Sequence, residues 1–259
     1  MKRSLIILLS IAALLFAADA KPRPKKKKVE QPMCAANIGV CPDEGCSSDN
    51  HHDPNLNRLK NIRSDDKSVT DRTLTWMKTR HNPKHFVEMG SRDELAGLGE
   101  GQQVRVVAYL LAAKLEPGGE SCNCYLRTTE ETDNHLVLVT KATVNAFPLP
   151  AHASKKTLTA KFHKREAQSV TAEFTPRVRL QGHPNFTAAK VQPLINKTPQ
   201  GALLVRVTGQ LMFDSEHFLR NPLNRVNNWE IHPIFRLEYC PKGKTCTASS
   251  DANWVDLDQ

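Results

Sequence analysis

From Gln103 the chain changes from turn-rich to strand-like patterning. Residues 104–115 form a long β-run that ends at Pro117-Gly118-Gly119, and residues 122–127, 135–139, 169–179, 202–214 and 229–239 supply further strand candidates. A short helix is predicted over residues 184–195, with Pro184 in its first turn and Pro193 ending or kinking it. Residues 143–168 are basic and irregular and read as a long loop or exposed hairpin. Several strands, one helix and then two strands is the order of an OB-type barrel, in which the helix precedes the last two core strands. Val104-Arg105-Val106 and Val205-Arg206-Val207 open the two longest runs, as the curved strands that close a barrel would. The minimal OB-fold has five strands, so one of the six candidates is an accessory hairpin or half of a broken strand. The alternative is a β-sandwich, which the lone helix before the final pair argues against. The expected class is mainly β: an OB-like barrel of five to six strands with one short helix and an irregular N-terminal extension.

Residues 34–102 are polar, with short helical candidates at residues 70–78 and after the capping box Ser91-Arg92-Asp93-Glu94. They lack the apolar residues for a core of their own and are expected to wrap the barrel at residues 103–240, which a tail at 241–259 follows.

With 259 residues, 39% of them hydrophobic, a wholly disordered chain is excluded. The formal charge of +9 suggests a polyanion partner until it is divided: residues 21–28 carry +6 and residues 1–20 carry +1, leaving +2 for the rest. Residues 1–20 read as a signal peptide, with Lys2-Arg3, an apolar run over residues 5–16 and Ala18-Asp19-Ala20 as the cleavage signature. That run is shorter than the roughly 20 residues that span a bilayer, which implies a secreted or periplasmic protein. Residues 21–33 form a disordered basic arm in which Lys25, Lys26, Lys27 and Lys28 would meet a polyanionic or envelope surface; Lys155 and Lys156 could add to it.

In an oxidising compartment the default for Cys34, Cys41, Cys46, Cys122, Cys124, Cys240 and Cys246 is disulfide bonding, with one thiol left over. Cys240 and Cys246 flank a Pro/Gly loop that brings them together. Cys122 and Cys124 would share one face of a strand and look for partners among Cys34, Cys41 and Cys46, stapling the extension to the barrel.

Five short motifs carry a resemblance: Gly119-Glu120-Ser121-Cys122-Asn123-Cys124, Asn134-His135-Leu136, Thr175-Pro176-Arg177, Val205-Arg206-Val207-Thr208-Gly209 with Met212-Phe213-Asp214-Ser215-Glu216-His217, and Trp229-Glu230-Ile231-His232-Pro233. Together with Cys41-Pro42 before Gly45-Cys46 and Asp53-Pro54 before Leu56-Asn57, the chain resembles a family of largely uncharacterised, mostly bacterial proteins with an OB-like domain. The resemblance implies the fold and no activity.

The same motifs place Glu120, Asp133, His135, Asp214, Glu216, His217, Trp229, Glu230 and His232 at strand ends or in adjoining loops. Histidines with carboxylates suit a hydrolytic metal, or a metal-free general base oriented by a carboxylate. Two readings follow. The first is a secreted or periplasmic, envelope-associated binding module that needs no cofactor. The second is a metal-assisted hydrolase acting on phosphodiesters, with His135, His217 and His232 as metal ligands and His135, His217, Glu216 and Glu120 in catalysis.

Overall fold

The computed structural model of the protein describes residues 31–47, 52–63, 68–116, 118–218 and 224–257. The predicted signal peptide and Lys25 to Lys28 of the basic arm lie outside the described residues. The strands are β1 (Thr70–Thr73), β2 (Gln103–Leu115), β3 (Asn134–Val139), β4 (Val170–Phe174), β5 (Leu203–Phe213), β6 (Trp229–Tyr239) and β7 (Val255–Asp256). The helices are α1 (Pro54–Lys60), α2 (Leu74–Lys78), α3 (Asp93–Gly97), α4 (Lys141–Ala146), α5 (Lys155–Glu166), α6 (Pro176–Gly182) and α7 (Ala188–Asn196).

Five strands close the barrel in the order β2-β3-β4-β6-β5, and β5 returns to β2. Strand β2 is long enough to serve both neighbours: its first half pairs with β5 and its second half with β3, across an irregularity between Leu110 and Ala112. β4 and β6 run parallel, whereas the other barrel pairs are antiparallel. This is the OB-like arrangement expected from the order of elements, with α6 and α7 between the third and fourth barrel strands. Val104, Val106, Leu136, Ala172, Phe174, Val205, Val207, Ile231 and Ile234 form the barrel core.

The sixth strand candidate does not exist. Residues 122–127 instead begin in a 3-10 turn at Ser121–Asn123, and Cys124 and Tyr125 both take positive φ. A strand cannot form where the chain turns left-handed to meet a disulfide. The basic stretch at residues 143–168 is also not a loop: it holds α4 and α5, the latter capped by the Ser154 side chain accepting from Thr157 N–H. Only Arg165 and Glu166 of α5 are buried, so no apolar stripe announces it. Lys155 and Lys156 are therefore exposed on a helix. The run at 169–179 splits after Phe174, because Pro176 begins α6 at a position where a missing N–H costs nothing. The single predicted helix over 184–195 is in place as α7, beginning at Ala188.

The extension is more regular than expected. Residues 70–73 are strand, not helix, and lie parallel to β2, while β7 from the tail pairs with β6. Cys41 bonds to Cys124 and so staples the extension to the barrel; Cys34 bonds to Cys46, Cys240 to Cys246, and Cys122 is the buried free cysteine. Asn57 donates to Ser121 Oγ at 3.1 Å and Asn61 to the Cys122 carbonyl at 2.9 Å, docking α1 onto the 3-10 turn. Gly45 permits the approach: a Cβ there would lie 2.1 Å from the Ser121 carbonyl oxygen. Among the described residues, no helix is long and apolar enough to cross a membrane.

Candidate functional site

Strand alternation decides which side chains meet. Leu136, Ala172 and Ile231 face the barrel core, so their neighbours His135, Glu173, Glu230 and His232 face outward. His135 pairs in register with Glu173 across β3 and β4, and Ala172 pairs with Ile231 across β4 and β6. The polar row thus runs across three adjacent strands. On an open barrel it would be solvated, but here α1 covers it: Thr175 Oγ1 donates to the Lys60 carbonyl at 2.9 Å, and Gln210 Nε2 donates to the carbonyls of Leu59 and His232 at 3.1 and 3.2 Å.

The result is a buried charge network. His135 Nδ1 lies 3.0 Å from Glu116 and Nε2 lies 2.9 Å from Glu173. Burial opposes its charge, but Glu173 and Glu116 outweigh it and hold the imidazole well above its usual pKa. His232 is the opposite case. It is 0% exposed, and burial lowers its pKa to about 4, so the ring is neutral. Its Nδ1 faces Glu230 at 3.1 Å and Glu173 at 3.3 Å; two acceptors there place the proton on Nδ1 and the lone pair on Nε2. That Nε2 is buried and makes no hydrogen bond of ordinary geometry.

A second arc lies beyond Glu230. Arg225 joins Glu230, at 2.9 Å, to Asp214, and Asp214 accepts from His217 at 2.5 Å. Against the cost of burial, His217 and Arg225 hold the Asp214 carboxyl below its ordinary range, whereas burial lifts Glu230 to about 7. Lys60, at the end of α1, sits 3.1 Å from Glu216 and 3.7 Å from Glu120. Burial works against the Lys60 charge, yet these carboxylates raise its pKa.

Lys60 in turn lowers Glu216 to about 2 from an ordinary 4.5. A carboxyl with a depressed folded pKa stabilises the fold fully above 4.5, and that contribution fades as pH falls toward 2. Glu216→Gln is expected to lower the melting temperature at pH 7 by about 3–6 °C, since Lys60 keeps Glu120 as its remaining partner. Melting curves from pH 7 down to 2 check this: the gap between wild type and variant should close with acidification, and a constant gap would remove the charge explanation.

Asp133 completes the set. It is 1% exposed, its Oδ1 accepts from Asn123 Nδ2 at 2.7 Å, its Oδ2 makes no hydrogen bond of ordinary geometry, and its carboxyl lies close enough to Glu120 to share a proton with it. Burial, with Glu120 and Glu173 nearby, pushes its carboxyl well above the usual range. Glu116, Glu120, Asp133, Glu173, Asp214, Glu216 and Glu230 thus face two permanent cations, Lys60 and Arg225. Such an acidic excess in a low-dielectric setting favours either protons or a bound cation. One ligand atom each from Asp133, Glu173 and His232 lies within 4.8 Å of the others, a group that could hold a divalent ion. Glu120, Cys122 and Asp133 form a second such group. The sulfurs of Cys34, Cys46 and Cys124 also cluster, but they are already in disulfides.

Of the residues singled out in the sequence, His135, His232 and Glu120 belong to this network and Glu216 joins it through Lys60. His217 is tied to Asp214 and stands outside the groups with metal-ligand spacing; both nitrogens of His135 are engaged by carboxylates. Glu173, Lys60, Glu116 and Arg225 were not singled out. The site is open on one side, where the side chains of His135 and Glu120 are 24% and 31% exposed. No family model, curated protein or solved structure matches the chain.

Proposed function

We propose that this protein is a metal-assisted hydrolase, secreted or periplasmic, that works at the outward face of β3, β4 and β6. The observation that carries the reading is that His232 Nε2 and Asp133 Oδ2 are buried with no hydrogen bond of ordinary geometry, on residues that group with Glu173 at metal-ligand spacing. A buried polar atom without a partner costs about 1–3 kcal/mol, and a bound cation would remove that cost at both atoms. The donor set of one neutral imidazole and two carboxylates suits Zn²⁺ or a similar ion. Glu230 on His232 Nδ1, at 3.1 Å, supplies the carboxylate–histidine support typical of metal ligands. When bound, the ion would lower the pKa of a water at the open side. His135, held cationic between Glu116 and Glu173, would add positive charge beside a substrate through its field, since both of its nitrogens face carboxylates.

A phosphodiester is the proposed substrate, because an anionic ester matches the cationic pair of metal and imidazolium. Phe174 and Phe213 are fully buried in the core, so neither can stack on a ligand in an OB groove. The secreted location rests on the signal-peptide pattern and accords with the three disulfides.

The test is elemental analysis of protein purified without chelator, followed by hydrolysis of bis-(p-nitrophenyl) phosphate with and without chelator. Retained metal and chelator-sensitive hydrolysis restored by Zn²⁺ or Mn²⁺ are expected. A chain that takes up no divalent ion, and hydrolyses nothing when ions are added, would return the protein to the binding-module reading.

A further inference from the structure

We infer that Cys122 belongs to a second metal position that shares Asp133 with the first, so that the centre holds two ions. The inference rests on the proposed function and goes beyond it. Every other cysteine is in a disulfide, and Cys122 stays reduced although it lies two residues from Cys124. It is 1% exposed, with its Sγ 3.3 Å from Glu120 Oε2. Its backbone is fixed on both sides, by Asn61 donating to the Cys122 carbonyl at 2.9 Å and by the Cys41–Cys124 bond.

A thiol enclosed by carboxylates is poorly served by protons alone, since its weak S–H can satisfy only one acceptor at a time. The group Glu120, Cys122 and Asp133 has ligand atoms within 4.8 Å of one another, as does the group Asp133, Glu173 and His232. Asp133 is the only member of both, and its Oδ2 is buried with no hydrogen bond of ordinary geometry. A shared carboxylate between two donor sets is the geometry that spaces paired hydrolytic ions at about 3.5–4 Å. Lys60 Nζ lies 3.1 Å from Glu216 and 3.7 Å from Glu120 Oε2, the oxygen that also accepts from Cys122, so the second ion would share that carboxylate with Lys60. A thiolate with carboxylates favours Zn²⁺ over Mg²⁺ or Ca²⁺. Binding replaces the S–H bond with a sulfur–metal bond and releases the proton to solvent.

The experiment uses the oxidised chain, with its disulfides closed, loaded in parallel with Zn²⁺ and Co²⁺. Wild type is expected to hold two ions per chain, and its Co²⁺ form to show thiolate-to-metal charge-transfer absorption in the near ultraviolet. Cys122→Ser should keep one ion and lose that absorption, while Glu173→Gln should keep the absorption. One ion in wild type without the absorption overturns this inference and leaves the proposed function standing; no ion at all overturns both. Two ions in Cys122→Ser also overturn it. The absorption in wild type requires no variant, so a variant that fails to fold leaves the inference exposed to refutation.

Discussion

Glu173→Gln is expected to reduce phosphodiester hydrolysis at least about a hundredfold while leaving the melting temperature of the metal-free protein within about 3 °C of wild type. The two halves of this result have one cause. Glu173 is the carboxylate through which His135 and His232 meet, at 2.9 and 3.3 Å. Without its charge the proposed ion would lose a ligand, His232 Nδ1 is left with Glu230, and His135 is left with Glu116. Yet Glu173 is also one of the charges that push the Asp133 carboxyl up, so its removal relieves repulsion in a network already rich in acid. In the metal-free protein the lost contacts to His135 and His232 and the relieved repulsion act in opposite directions on stability, whereas the proposed activity loses a ligand outright. Metal content, hydrolysis rate and thermal melting of the same preparation check the split. Hydrolysis within a fewfold of wild type would place the ion elsewhere, and a collapse in melting temperature would make Glu173 a structural residue.

The barrel was legible because its information is local. Order of runs, the Pro117-Gly118-Gly119 stop and the helix before the last two strands each depend on a few adjacent residues, and they led to the right closure. The surplus candidate at 122–127 shows the limit of that reasoning. Apolar and cysteine content made it look extended, but the pull of Cys41 on Cys124, 83 residues away, turns the chain left-handed. The site was legible only in part for a related reason. His135, Glu120, Glu216 and His232 stand in conspicuous motifs. Glu173 is a single acid in an ordinary alternating strand, on the face opposite Ala172 and Phe174, where a solvated residue is the natural reading. Only the docking of α1 over β4 and β6 makes that face an interior, and with it Lys60 becomes a buried charge. Helix cover of this kind leaves no periodic signature in the strand it covers.

Gly209→Ala is expected to cost about 3 kcal/mol, and to weaken the proposed metal binding together with the folded state. A Cβ at residue 209 would lie 2.5 Å from both Ile231 Cγ2 and the Pro233 carbonyl oxygen, and 3.0 Å from Ile234 Cα. Two of those three contacts are backbone, which cannot rotate aside as a flexible side chain could. The crowding arises from the β5–β6 register. Gly209 pairs with Ile234 and Leu211 with Ile231, so His232 and Pro233 together face the single residue Gln210. This bulge keeps both Ile231 and Ile234 in the core while His232 faces outward to Glu173. Pro233, which has no N–H to give to a ladder, is tolerated at such a position. Gly209 is thus the space into which the bulged strand settles, and the bulge is what presents His232. Denaturant unfolding of Gly209→Ala, with Gly97→Ala as a control whose added Cβ meets nothing within 4 Å, separates close packing from a general effect of losing glycine. Equal stability of the two variants would mean that β6 can retreat from β5 without cost, and the bulge would then not be what holds His232 in place.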